Sequence, residues 1–146
     1  MEFGISPYIL AGASAWLVAQ LIKYIVASVK ARSPRQLRQF YLSGNMPSAH
    51  SATVIAVTTV IGLLDGVDTA VFGLALTFSA VVMYDAVTVR RSSGEQGAAL
   101  LAYFKEVKSK IMLPRVAKGH LPLEVAVGAV LGVVVGIVVF LATRIS

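Results

Sequence analysis

With 146 residues, 57% of them hydrophobic and only 14% charged, the chain falls far short of the roughly 25% charge of an ordinary soluble domain. Its mean hydropathy of +0.80 comes from apolar stretches too long and too many for one small soluble core, so the composition points to an integral membrane protein. Cysteine is absent, which excludes disulfides and thiolate metal sites. The net charge of +6 lies mainly between apolar runs, as at a cytoplasmic membrane face and unlike a nucleic-acid surface.

The first apolar run covers Ser6 to Val29 and is interrupted only by Lys23, whose long stem lets its ammonium snorkel from the inner end. It lacks a basic leader and a small-residue cleavage site, so it reads as a span and not as a removable signal peptide. Lys30, Arg32, Arg35 and Arg38 follow it.

A second, shorter span begins near His50 and ends at about Leu64, either tilted or reaching only partway across. In Pro47-Ser48-Ala49-His50, proline pre-sets a helix start and Ser48 is placed to cap it. The free N–H groups and dipole of that helix suit a phosphate oxygen, with His50 beside it as a proton donor. An ordinary cap with an interfacial histidine is the plainer alternative. Asp65-Gly66 then marks a tight turn into the third span, Thr69 to Val89.

Asp85, near the end of that span, needs a basic or hydrogen-bonding partner. Arg90 and Arg91 offer planar, bidentate donors suited to phosphate, although paired arginines after a span also serve as topology signals. Lys23 and Arg35 are weaker candidates for the same anion. In the connector from Gly94 to Leu113, Leu100, Phe104, Val107 and Ile111 recur at helical spacing. This predicts an amphipathic helix at the membrane interface, ended by Pro114, with a solvated connector as the alternative.

The fourth span runs from Leu121 to about Thr143. His120 and Glu124 lie one turn apart, so the carboxylate can accept an imidazole N–H and leave the other ring nitrogen unprotonated, as nucleophile or base. A purely interfacial hydrogen bond is the alternative. Gly128, Gly132 and Gly136 continue the same row and predict close helix packing. The two histidines and scattered carboxylates show no recognised metal-ligand spacing.

The distribution of basic residues puts both termini outside and both basic loops in the cytoplasm. His50, Asp85, Arg90, Arg91, His120 and Glu124 then share one membrane face. The expected fold is a single all-α membrane domain over residues 1–146. It is a compact bundle of about four transmembrane helices with an interfacial amphipathic helix.

Three segments carry a resemblance: Gly44 to Ser51, Tyr84 to Gln96 and Gly119 to Gly132. Together they resemble the divergent PAP2 family, which is related to acid phosphatases and vanadium-dependent haloperoxidases. The resemblance implies a metal-independent phosphatase acting on membrane lipids. His120 matches the histidine that forms a phosphohistidine, and Glu124 stands where the general pattern has an orienting aspartate. His50 matches the acid that protonates the leaving alkoxide, and Ser48 matches a residue that hydrogen-bonds phosphate.

There are departures from the pattern. Ala49 replaces glycine, Glu124 replaces aspartate, and Pro114 stands where the family has an arginine before the nucleophile. Arg90, Arg91 or Arg115 would have to substitute for that arginine. Lys23, Lys30, Arg35 and Arg38 only approximate the family's basic motif. The spans are fewer than is common in the broader superfamily, so the site is completed by the interfacial helix or by a neighbouring subunit of a homo-oligomer.

The expected activity is hydrolysis of a lipid phosphate monoester or pyrophosphate at the cytoplasmic face of the cell membrane. Phosphatidylglycerophosphate, phosphatidic acid and polyprenyl phosphate are the candidate substrates. No cofactor and no nucleic-acid partner is expected. The rival readings are a lipid-headgroup binder, a small transporter and an assembly subunit, none of them catalytic.

Overall fold

The computed structural model describes residues 5–32, 46–108, 111, 116 and 119–144. Its five helices are α1 (Pro7–Ala31), α2 (Ala49–Leu64), α3 (Ala70–Val87), α4 (Val89–Glu106) and α5 (Pro122–Arg144), with no strand among the described residues. α1, α5 and the stretch Ala70–Glu106 are each long and apolar enough to cross a bilayer. α2 is apolar but has 16 residues, about 24 Å of helix against a hydrocarbon core of about 30 Å.

Local chemistry sets these boundaries. Pro7 opens α1, where its missing N–H costs nothing, and Arg32 closes it in a left-handed conformation at φ 47°. Ser48 caps α2, and Thr69 caps α3 by accepting the Phe72 N–H at 3.2 Å. Between these two helices, Gly66 takes φ +99°, which only glycine adopts readily.

Lipid tails are as apolar as leucine side chains, so membrane helices associate through close packing and not through the hydrophobic effect. Here α1, α2 and α5 meet through rows of small residues. Ala11, Ala15 and Ala19 on α1 and Ala49, Ala52 and Ala56 on α2 form most of the buried core. On α5, a Cβ at Gly128 would lie 2.5 Å from the Ser48 carbonyl oxygen, and one at Gly132 would lie 2.5 Å from that of Ala52. A Cβ at Gly136 would lie 2.8 Å from that of Thr59. The glycine row is therefore the surface on which α2 rests. α3 is more peripheral and is tied to α2 by a buried hydroxyl pair, Thr58 to Ser79 at 2.9 Å. Several of its large apolar side chains, among them Leu74, Phe78 and Val81, are exposed, as a lipid-facing surface requires.

α4 differs from the sequence expectation at both ends. It begins at Val89, with only Thr88 separating it from α3, and ends at Glu106, so Val107 and Ile111 lie beyond it. The termination is a backbone event: Lys108 adopts φ 48°, while the Val107 and Lys108 N–H groups fold back to the Tyr103 and Lys105 carbonyls. Pro114, the expected stop, lies outside the described residues. α4 buries none of its residues in the protein, and Leu100 and Tyr103 stay exposed on it.

Val116 and Gly119, beyond α4, lie against that helix. A Cβ on Gly97 would lie 2.8 Å from Val116, and one on Gly119 would lie 2.4 Å from the Arg91 backbone. His120 then meets the end of α3 before α5 begins.

Candidate active site

His120 is fixed before it enters any helix. Its N–H donates to the Ala86 carbonyl at 3.0 Å, and Gly119 is pressed against Arg91, so the position tolerates no side chain. Pro122 then opens α5 and places Glu124 in the first turn. One carboxylate oxygen, Glu124 Oε2, accepts both His120 Nδ1–H at 2.9 Å and the Leu121 N–H at 3.1 Å. In the neutral ring, donation from Nδ1 leaves Nε2 as the nitrogen with the free lone pair. The imidazole is 5% exposed, so this orientation is held by surrounding protein.

The start of α2 is built onto the same turn. Ser48 N–H donates to the Glu124 carbonyl at 3.0 Å. Its hydroxyl accepts from the Ser51 N–H at 3.4 Å and the Ser51 hydroxyl at 2.9 Å, and the residue is fully buried. The structure thus places Ser48 as the helix cap, inside the protein. His50, two residues on, is exposed and lies within Coulombic reach of His120, Arg90, Lys23 and Asp85. The two histidines therefore sit at the same end of the bundle.

The expected cations divide. Arg90 pairs with Asp85 (Nε to Oδ2, 2.6 Å), which supplies the partner that the deep carboxylate required. Arg91 pairs with Glu95 at 3.0 Å along α4. Both pairs are partly exposed, so they orient their side chains more than they stabilise the fold. Of the two guanidinium groups, the Arg90 group is the one whose charge reaches His50. Arg35, Arg38, Arg115 and Lys118 lie outside the described residues.

Lys23 corrects an expectation. It does not snorkel outward but is buried, 7% exposed, with the Glu124 charge bearing on it. It forms no salt bridge among the described residues. A cation in such surroundings is costly unless an anion comes to it. The reason for its direction is visible in the chain: Ala11, Ala15, Ala19 and Lys23 continue one row at a spacing of four, and that row faces the bundle. Among the described residues no three potential metal ligands come together. Tyr8 donates to Asp65 at 2.8 Å at the opposite end, away from this cluster.

The fold and the cluster define a helical membrane protein with a histidine–carboxylate pair at one rim. The chain belongs to the divergent PAP2 family, whose profile matches residues 6–135 and so takes in His50, Asp85, Arg90, His120 and Glu124. It is also similar to the uncharacterized membrane protein YuiD of Bacillus subtilis (strain 168), with 29% identity over 145 residues, covering 89% of this chain and 91% of that protein. No solved structure matches it significantly.

Proposed function

We propose that the protein is a lipid phosphatase that hydrolyses a phosphate monoester or pyrophosphate through a phosphohistidine. The observation that carries this reading is the His120–Glu124 pair: a buried imidazole whose Nδ1 is held by a carboxylate at 2.9 Å, near a second histidine and the cationic groups of Arg90 and Lys23.

In the first step, His120 Nε2 attacks phosphorus, forming the P–N bond as the P–O bond to the lipid breaks. His50, as imidazolium, gives its proton to the leaving alkoxide. In the second step, His50 takes a proton from water, whose oxygen attacks phosphorus. The P–N electron pair returns to Nε2 and inorganic phosphate leaves. Glu124 stabilises the charged imidazole between the two steps. Arg90 and Lys23 face the equatorial oxygens and take the place of the arginine that is proline at 114. Arg91 serves that anion from further out, and Arg35 is a further candidate for it. Ser48 holds the helix start that points N–H groups toward it. Phosphatidylglycerophosphate, phosphatidic acid and polyprenyl phosphate are the substrates to try first, presented from the cytoplasmic leaflet.

The test is phosphate release from each lipid by purified protein in EDTA, together with trapping of acid-labile radiolabelled phosphate on the chain. Release by the wild type, and neither release nor label with His120→Ala, is the expected outcome. Lipid phosphate that binds but gives no label and no release would leave a headgroup-binding protein in its place.

A further inference from the structure

A cavity of about 640 Å³ lies between the inner end of α1 and the start of α5. Its walls are mostly apolar, including Val26, Ala27, Val127 and Leu131. Lys23 and Glu124 also line it, and both belong to the histidine cluster. Lys30 lies further toward the membrane surface. The cavity therefore adjoins the candidate active site, the two sharing the side chains of Lys23 and Glu124.

Its dimensions restrict what can enter. On α5 the lining runs from Leu123 to Leu131, about 12 Å at 1.5 Å per residue, a little under half of a hydrocarbon core of about 30 Å. The depth is that of one leaflet. A methylene occupies about as much space as a water molecule, roughly 30 Å³, so the cavity holds on the order of twenty such groups. That is enough for one hydrocarbon chain. Its charge is equally selective: Glu124 is already engaged by His120, and Lys23 and Lys30 favour an anionic head over a neutral one.

We infer that this cavity seats the single hydrocarbon chain of an anionic lipid, with its phosphate at Lys23. The preferred substrates are then single-chain lipid phosphates, of the monoalkyl or short prenyl kind, over two-chain phosphatidates. The substrate preference rests on the phosphatase reading, whereas occupation of the cavity does not.

The experiment is photocrosslinking of the whole protein in nanodiscs with hexadecyl phosphate carrying a diazirine at its chain end, the adducts being mapped by mass spectrometry. Adducts are expected at 22–27 and 123–131. They should be competed at least tenfold better by unlabelled hexadecyl phosphate than by dipalmitoyl phosphatidate or hexadecanol. Ala27→Phe, which fills the cavity, and Lys23→Gln, which removes its charge, should each reduce the adducts several-fold. Adducts spread equally over the exposed face of α3 would overturn the inference, as would equal competition by phosphatidate or hexadecanol. The competition in wild-type protein decides the matter even where a variant fails to fold. Cavity adducts without phosphate release from any lipid would remove the phosphatase and keep the chain site. Phosphate release with no cavity adducts would do the reverse.

Discussion

The Ser48 N–H donates to the Glu124 carbonyl at 3.0 Å, and through that bond the first turn of α2 and the first turn of α5 become one unit. His50 follows Ser48 by two residues, while Glu124 holds His120, so the spacing between the histidines depends on this junction. Gly128 keeps it closed, because a Cβ there would stand 2.5 Å from the Ser48 carbonyl oxygen.

Gly128→Val should therefore separate α2 from α5, at a cost of about 1–3 kcal/mol from overpacking. Thermal unfolding in detergent should report a lowered midpoint, with phosphate release falling more steeply than stability. Gly73→Ala is the matched control: a Cβ there meets nothing within 4 Å, and alanine is the better helix former. Equal midpoints for the two variants would mean that the glycine contact does not hold the junction.

Replacement of Glu124 separates orientation from nucleophilicity. Glu124→Gln keeps the side-chain size but loses the charge that holds the imidazole and that, in the proposed mechanism, stabilises its phosphorylated form. Turnover should drop on the order of 10²–10⁴-fold. His120→Ala should leave no covalent phosphate at all. Single-turnover labelling distinguishes them: Glu124→Gln labels slowly, whereas His120→Ala does not label. Rapid labelling of Glu124→Gln would leave the carboxylate with a packing role.

The two arginines should behave differently despite being adjacent. Arg90 is oriented by Asp85 at 2.6 Å and its charge reaches His50, while Arg91 is held by Glu95 along α4. Arg90→Gln should weaken activity at least tenfold and reduce inhibition by vanadate. Arg91→Gln should change either by less than about threefold, because its contribution to Gly119 is made by backbone. Equal losses would place both guanidinium groups on the phosphate.

Helix positions were legible because apolar runs stop where chain chemistry also stops them, at Pro7, Ser48, Thr69 and Pro122. The His120–Glu124 pair was legible from its spacing of four across the start of α5, although His120 itself stands before that helix and is placed by its N–H bond to the Ala86 carbonyl. The end of α4 was not. The periodicity of Leu100, Phe104, Val107 and Ile111 continues past Glu106, yet the left-handed backbone at Lys108 breaks the helix. Lys23 was only half legible. A lysine near a helix end fits outward snorkelling, and its place on the alanine row is the competing signal that prevails. The choice between Arg90 and Arg91 is made by tertiary contacts, which adjacent, identical residues do not encode.

The absence of cysteine makes the orientation directly measurable, because any introduced thiol is the sole one. Ser93, exposed on α4, lies on the side where the basic connectors put the cytoplasm, and Asp68, exposed in the α2–α3 turn, lies on the other. In intact cells a membrane-impermeant maleimide should label Asp68→Cys and spare Ser93→Cys until the membrane is opened. That result would present His50 and His120 to lipids of the inner leaflet. The opposite labelling would turn the same site toward the outer leaflet, leaving its chemistry intact but removing cytoplasmic-leaflet lipids as substrates.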